Sequence, residues 1–93
     1  MKTYKITGRT NGWLAQRDIR FNGKTTITIC EGLTLKDAQK KLLEFFNEDY
    51  ETYYTNWGLA RCNEPFNTCT YKDGTRSYEY DSRYYSIELE EEE

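Results

Sequence analysis

The stretch that decides the fold runs from Thr34 to Phe46 and reads TLKDAQKKLLEFF. Thr34 is a good helix N-cap, and Asp37 follows three residues later as the partner of a short capping box. Apolar side chains recur at helical spacing at Leu35, Ala38, Leu42, Phe45 and Phe46, with Leu43 at the margin. The pattern predicts an amphipathic helix that ends between Asn47 and Glu51, with one stripe buried against a sheet.

Before this helix the pattern changes to the two-residue period of strands. Residues 2–7 alternate between Lys2, Tyr4 and Ile6 on one face and threonine and lysine on the other, which predicts a first strand. Residues 8–12, bounded by two glycines, are typical of a turn. From Trp13 onward the chain predicts a hairpin that turns at residues 21–23.

The loop length of this N-terminal hairpin decides which side chains it buries. A two-residue Asn-Gly loop would put Ile19 on the face opposite Ile27 and Ile29. A three-residue loop, with Gly23 in the left-handed conformation, puts Ile19 and Ala15 on the same face as those two isoleucines. Because a shift of one residue inverts every side chain, the burial pattern favours the three-residue loop.

After the helix, the sequence predicts a turn at residues 56–58, a short strand at residues 59–62, and a hairpin over residues 67–80. A two-residue loop at Asp73-Gly74 would pair Cys69 with Tyr78. One face of that hairpin would then carry Cys69, Tyr71, Tyr78 and Tyr80. Residues 81–82 are expected to form a bulge or a second tight turn. Beyond it, Tyr85, Ile87 and Leu89 point one way, and Tyr84, Ser86 and Glu88 point the other.

Together these elements predict a single small α+β domain over residues 1–89. The expected order is β-β-β-α-β-β-β, with a mainly antiparallel sheet and one helix packed on one face. Residues 90–93 are four glutamates with nothing to bury, and are expected to form a mobile acidic tail. No apolar run is long enough to span a membrane, and the N-terminus does not have the pattern of a signal peptide. We therefore expect a cytoplasmic protein.

The residue types exclude most catalytic and metal chemistry. The chain has no histidine, which rules out Ser-His-Asp, Cys-His and histidine–metal sites. It has no glycine-rich phosphate loop, and Cys30, Cys62 and Cys69 form no C-x-x-C pair. We expect reduced cysteines, with a Cys62–Cys69 bridge as the alternative in an oxidising setting. No cofactor is expected, and the protein is predicted not to be an enzyme.

Charge divides the chain into two unlike halves. Residues 1–47 carry nine Lys/Arg and four Asp/Glu, a balance of 9 − 4 = +5, whereas residues 48–93 carry four and twelve, 4 − 12 = −8. The basic half indicates one function, a small nucleic-acid-binding module that uses the N-terminal hairpin. The net charge of −3 opposes that function, because its field repels phosphate. Nucleic acid is therefore not the expected partner.

The acidic half indicates a different function, in which carboxylates among aromatic rings bind a protein, or imitate nucleic-acid phosphates in a partner's basic groove. The carboxylates of this group are Glu48, Asp49, Glu51, Glu64, Asp73, Glu79, Asp81 and Glu88. Eight of the nine tyrosines also lie between Tyr50 and Tyr85. One helix can cover only one sheet face, so some rings are expected to stay exposed and to form a binding site. The predicted partner-binding residues are Tyr53, Tyr54, Trp57, Glu79, Asp81 and Tyr84.

Three blocks carry a resemblance to a known group of proteins. They are residues 33–43 leading to Tyr50, residues 56–60, and residues 73–81 leading to Glu88. Together, over roughly residues 33–89, the chain resembles small uncharacterised proteins encoded by phages and mobile elements of gut Bacteroidales bacteria. The resemblance implies a genomic setting in which accessory and counter-defence proteins are common. It therefore favours a host protein as the partner, with homo-oligomers as a further alternative, and it assigns no functional residue.

Overall fold

The computed structural model describes residues 2–51, 66–80 and 82–90 and shows one α+β domain, as the sequence predicts. The elements are β1 (Tyr4–Arg9), α1 (Gly12–Arg17), β2 (Thr26–Leu33), α2 (Leu35–Tyr50), β3 (Asn67–Thr70), β4 (Arg76–Tyr80) and β5 (Arg83–Leu89). The strands form one antiparallel sheet in the order β2-β1-β5-β4-β3. None of the helices among the described residues is long and apolar enough to cross a membrane.

The main helix, α2, begins and packs as its sequence predicts. The Thr34 hydroxyl accepts a hydrogen bond from the Asp37 backbone N–H at 3.1 Å, which satisfies one of the free amides of the first turn. Ala38 and Leu42 are buried, and Leu35, Phe45 and Phe46 pack against the core at partial exposure. The helix lies across β1, β2, β4 and β5, so its apolar stripe covers most of one sheet face.

The predicted N-terminal hairpin is wrong, because its first strand is the short helix α1. The Asn11 side chain caps this helix by accepting from the Leu14 backbone N–H at 2.8 Å. The expected turn at residues 8–12 is also wrong, since β1 continues through Gly8 to Arg9. Strand β2 pairs with β1 instead. Ile19, expected on the buried face, is 92% exposed, and Phe21 is fully buried.

The turn after α1 explains why local sequence patterns misled here. The Asp18 carboxylate accepts the Arg20 backbone N–H at 3.0 Å, and both Asn22 and Gly23 have positive φ angles, 50° and 84°. These local hydrogen bonds and the two residues in the left-handed conformation reverse the direction of the chain between α1 and β2. The turn therefore forms without a strand before it. Phe21 can then turn into the core, where its ring lies 6.2 Å from the Tyr85 ring.

The β3–β4 hairpin exists, but its predicted register is off by one residue. Thr68 pairs with Tyr78, so Cys69 lies opposite Ser77 and not opposite Tyr78. The loop has three residues, with Gly74 at φ +90° and the Tyr71 N–H donating to the Thr75 carbonyl at 2.9 Å.

The Asp73 carboxylate stabilises this longer loop. It accepts from the Thr75 N–H at 2.9 Å and from the Thr75 hydroxyl at 2.6 Å. Because of the shifted register, Tyr71 leaves the face that Tyr78 and Tyr80 share.

The side chains of β5 alternate between the two faces of the sheet as predicted. Tyr80 pairs with Arg83 and Ser82 has φ 62°, which fits the tight turn, one of the two predicted alternatives. Asp81 lies outside the described residues. The face that α2 covers, which we call the helix face, carries Ile6, Tyr78, Tyr80, Tyr85 and Ile87. The other face, which we call the polar face, carries Thr7, Arg9, Ser77, Glu79, Tyr84, Ser86 and Glu88.

Some predictions fall wholly or partly outside the described residues. The predicted turn at residues 56–58 and the strand at residues 59–62 cannot be placed, and neither can residues 91–93 of the predicted tail. The first residue of that tail, Glu90, is hydrogen-bonded. Its backbone N–H donates to the Thr3 carbonyl at 2.9 Å, and its carboxylate accepts from the Gly32 N–H at 2.6 Å.

Candidate functional site

The polar face holds the two predicted partner-binding residues that the structure describes. Glu79 on β4 lies directly opposite Tyr84 on β5, and Glu79 is exposed while Tyr84 is half-buried. The Arg9 guanidinium lies over the Tyr84 ring, 5.9 Å from its centroid, and also donates to the Glu88 carboxylate at 2.8 Å. These contacts place a tyrosine, two carboxylates and an arginine side by side.

Tyr71 adds a second ring to this patch, and the sequence did not predict it there. Its hydroxyl interacts with Ser77 and Tyr84. The hydrogen bond with Ser77 lowers the pKa of Tyr71, but Tyr84 raises it, and the net direction is upward. About half of Tyr71 is exposed. The length of the β3–β4 loop is the feature that decides this position. With a three-residue loop instead of a two-residue one, Tyr71 moves from the helix face to the polar face.

Short hydroxyl side chains form the centre of the polar face. Thr7 lies opposite Ser86, and Ser86 lies opposite Ser77, so the three cross three neighbouring strands. All three are buried, and the Thr7 and Ser86 hydroxyls are hydrogen-bonded at 3.2 Å. The Thr7 hydroxyl also lies 3.2 Å from the Glu88 carboxylate. Beside this row lie the exposed Tyr71 and Glu79 and the half-buried Tyr84, and we call these three residues the tyrosine patch.

The other predicted site residues are distributed differently from the expectation. Tyr53, Tyr54, Trp57 and Asp81 lie outside the described residues. Among the wider set of acidic candidates, Glu48 and Glu51 are exposed near the end of α2, whereas Glu79 and Glu88 lie on the polar face. Asp49, expected at the surface, is only 6% exposed. The described carboxylates therefore do not form one continuous acidic surface.

Most of the described tyrosines on β4 and β5 are core residues. Tyr78, Tyr80 and Tyr85 are buried and stacked, and the Tyr78 and Tyr85 ring centroids are 5.0 Å apart. Phe46 of α2 meets Tyr78 edge to face at 5.3 Å, and Phe66 lies 5.1 Å from Tyr80. Tyr71, which the predicted register placed on the same face as Tyr78 and Tyr80, is half-exposed and lies outside this core.

An ionic network of two buried aspartates, the buried Arg83 and the partly exposed Arg20 joins the turn after α1 to the rest of the fold. Arg20 donates to the Asp49 carboxylate at 3.0 Å and to the Tyr80 hydroxyl, and Tyr78 donates to Asp49 at 2.7 Å. Asp18 accepts from Arg83 Nε at 2.7 Å and is nearly buried.

The helical spacing of Asp49 from Leu42 and Phe46 is the signal that could have revealed this network. It places a carboxylate on the buried stripe of α2. A carboxylate on that stripe needs a cationic or hydrogen-bonding partner, and here Arg20 and Tyr78 supply it.

The basic N-terminal residues are not arranged on the predicted hairpin, since residues 12–17 form α1 and β2 pairs with β1. Arg17 stacks on the Trp13 ring at 3.9 Å within α1, Arg9 pairs with Glu88, and Arg20 pairs with two aspartates. The hairpin that was to align these cations does not exist.

A cleft of about 540 Å³ opens between β2 and α2. Its walls are Thr26, Ile27, Thr28 and Ile29 of β2, Phe45 of α2, Tyr85, and residues Arg20, Phe21, Asn22 and Lys24 of the turn. Ile27, Ile29 and Phe45 make much of the lining apolar, and the charged groups of the lining are cations. No local pattern of residues indicates this cleft, because it depends on β2 being an edge strand.

No group of residues among the described ranges has the arrangement of a metal site. Cys30 and Cys69 are free thiols, and Cys62 lies outside the described residues. Comparison with protein-family models, with curated proteins and with solved structures finds no match for this chain.

Proposed function

We propose that this protein is a non-enzymatic protein-interaction module that binds a partner protein through the tyrosine patch. The observation that carries the proposal is the contact of Tyr84 with Tyr71 and Glu79 on the sheet face that α2 does not occupy. Exposed tyrosines beside charged groups are typical of binding hot spots, because the ring supplies apolar area and the hydroxyl supplies hydrogen bonds.

The hydrogen bonds of the two buried carboxylates support a binding function over catalysis. Asp18 is held by Arg83 and Arg20, and Asp49 is held by Arg20 and Tyr78. A catalytic acid or base needs a carboxylate within reach of a substrate proton. These two are committed to contacts that fix the turn after α1 against α2 and the β4–β5 hairpin.

The polar face also indicates what kind of partner would fit. Glu79 is exposed and can attract a cation, whereas Glu88 is already paired with Arg9. The patch therefore suits a protein that presents a basic or hydrogen-bonding group next to an apolar one. The resemblance to proteins of phages and mobile elements supports a host protein in the bacterial cytoplasm as that partner. A nucleic-acid mimic is one form that such binding could take.

A pull-down from a gut Bacteroidales lysate, followed by affinity measurements with the purified captured protein, tests the proposal. We expect Tyr71→Ser combined with Tyr84→Ser to weaken binding at least tenfold. Trp13→Ser is the matched control, since it removes an exposed ring from α1. Equal affinity of the patch variant and the parent, with both folded by circular dichroism, would overturn the tyrosine patch as the site.

Two further measurements separate the alternatives. If the protein mimics nucleic acid, duplex DNA will compete with it for the captured partner. The rival function, direct nucleic-acid binding, has lost its hairpin, and we expect no mobility shift with duplex DNA at physiological salt. A shift with a dissociation constant in the micromolar range or tighter would overturn the interaction-module proposal in favour of its rival.

A further inference from the structure

Strand β2 lies at one edge of the sheet, and the cleft between β2 and α2 runs along it. Four consecutive residues of this strand, 26–29, line the cleft. In the sheet order, β2 has β1 on one side, and no described strand lies on the other. An edge of this kind presents backbone N–H and C=O groups that another strand can use.

The hydrogen-bond pattern shows which groups of β2 face outward. The Thr10 N–H donates to the Thr25 carbonyl, so residues 10 and 25 form a hydrogen-bonded pair. The register continues through Gly8 with Ile27 and Thr7 with Thr28. Hydrogen-bonded and non-hydrogen-bonded pairs alternate in an antiparallel ladder, so the backbone groups of Thr26 and Thr28 point away from β1.

The side chains that line the cleft show what an added strand should carry. Ile27 and Ile29 pack against the core from β2, and Phe45 faces them from α2, which gives an apolar floor. The charged side chains of the lining are those of Arg20 and Lys24, and no carboxylate of the described residues lines the cleft. Lys24 is exposed and forms no ion pair with any of the described residues.

We propose that the cleft binds an extended acidic peptide of a partner protein as an additional strand beside β2. Its backbone pairs with Thr26 and Thr28, alternate apolar side chains enter the floor between Ile27, Ile29 and Phe45, and a carboxylate meets Lys24. Strand addition gives affinity through the main chain and specificity through pockets for every second side chain. This site is separate from the tyrosine patch, which lies on the polar face.

The charge and the polarity of the cleft select this occupant over a nucleic acid. A nucleic-acid backbone would satisfy Lys24 but would leave the apolar floor in contact with charged phosphates and sugars. An extended peptide satisfies both parts, because its side chains alternate between the floor and the solvent.

The experiment selects peptides from a displayed library of random dodecapeptides, with the purified full chain as bait. We expect the enriched peptides to alternate apolar residues and to carry Asp or Glu. Their affinity is then measured by fluorescence polarisation. Thr28→Pro removes the outward N–H without breaking the β1–β2 ladder and should weaken binding at least tenfold. Thr28→Val keeps the N–H and should bind like the parent.

Substitutions of Lys24 and of the apolar floor test the site without relying on the proline variant. Lys24→Glu should weaken acidic peptides at least fivefold, whereas Lys40→Glu makes the same charge change on the exposed surface of α2 and should have little effect. Ile29→Glu places a carboxylate on the floor and should abolish binding. This result does not depend on whether the Thr28→Pro variant folds. Tyr71→Ser with Tyr84→Ser should leave peptide binding unchanged, so this site can fail or succeed apart from the tyrosine patch.

Three outcomes would overturn the proposal. The first is that no peptide is enriched by the folded protein. The second is that the enriched peptides bind the Ile29→Glu and Lys24→Glu variants as well as they bind the parent. The third is a concentration-dependent dimer in analytical ultracentrifugation that Thr28→Pro dissociates, which would make a second copy of this chain the occupant of the edge.

Discussion

The Tyr78 hydroxyl donates a 2.7 Å hydrogen bond to the Asp49 carboxylate, and both side chains are buried between α2 and the sheet. Arg20 holds the other oxygen of the same carboxylate at 3.0 Å. Burial raises the pKa of Tyr78, and the neighbouring Asp49 charge raises it further. This pair connects a helix residue to a strand residue 29 positions away, so it forms only when the helix face is assembled.

Removing the Tyr78 hydroxyl should destabilise the protein more than removing the hydroxyl of the neighbouring Tyr85. Tyr78→Phe leaves one oxygen of a buried carboxylate without its donor and should lower the free energy of unfolding by about 1.5–3 kcal/mol. The Tyr85 hydroxyl is buried and makes no hydrogen bond of normal geometry in the described part of the chain, although Tyr80 lies close enough to lower its pKa, so Tyr85→Phe should cost less than Tyr78→Phe. Urea denaturation of the two variants checks this, and equal losses would contradict it.

Asp18 should make stability depend on acid. Burial alone would raise the pKa of Asp18, but the hydrogen bonds from Arg83 and Arg20 outweigh it and hold the pKa below its ordinary value of 3.8. A carboxylate with a lowered folded pKa stabilises the fold above its unfolded pKa, and that contribution is lost as pH falls through the folded value. Stability should therefore decrease below about pH 4.

The control for this acid effect is a pair of amide substitutions. Asp18→Asn should lower stability at pH 7 and make the decrease below pH 4 shallower, because the titrating group is gone. Glu44→Gln, on the exposed side of α2, should show the same decrease in stability with falling pH as the parent. Denaturation midpoints measured from pH 7 to pH 2.5 compare the three chains, and parallel curves for Asp18→Asn and the parent would contradict the assignment.

Two glycines near the N-terminus should respond in opposite directions to alanine. A Cβ at Gly8 would lie 3.0 Å from Tyr85 Cε1 and 3.3 Å from Phe21 Cζ, so Gly8→Ala should cost about 1–3 kcal/mol through overpacking. A Cβ at Gly12 meets no atom within 4 Å in the described ranges, and Gly12 belongs to α1. Gly12→Ala should therefore stabilise by about 0.4–1 kcal/mol. Thermal denaturation of both variants decides the matter.

The cap of α2 should be worth a measurable part of the stability. Thr34→Ala removes the oxygen that accepts from the Asp37 N–H and should cost about 0.5–2 kcal/mol. Thr34→Ser retains the hydroxyl and should recover most of the loss. If the alanine variant denatured at the same urea concentration as the parent, the amide would have to be satisfied in another way.

The sequence by itself determined the elements whose signals are local. The cap at Thr34 and the apolar stripe through Ala38 and Leu42 predicted α2 closely, because both depend on residues three or four positions apart. The alternation of Tyr85 and Ile87 with Tyr84 and Ser86 likewise predicted both faces of β5. Composition also favoured a non-enzymatic binding function, which stays a prediction.

Only the tertiary structure decided the elements in which local signals compete. The sequence predicted a turn at residues 8–12, whereas in the fold Asn11 caps α1 and β2 pairs with β1 and not with residues 12–17. The β3–β4 register depended on Asp73 and Gly74 favouring a three-residue loop over a two-residue one, which moved Tyr71 to the polar face.

The candidate binding surfaces and the ionic network depend on these same choices. Asp18, Arg20 and Asp49 become partners only after the turn at residues 18–23 folds against α2. The cleft exists because β2 lies at the edge of the sheet. Such contacts join residues far apart in the chain, and their energies are decided by burial and strand order, which no local pattern of residues encodes.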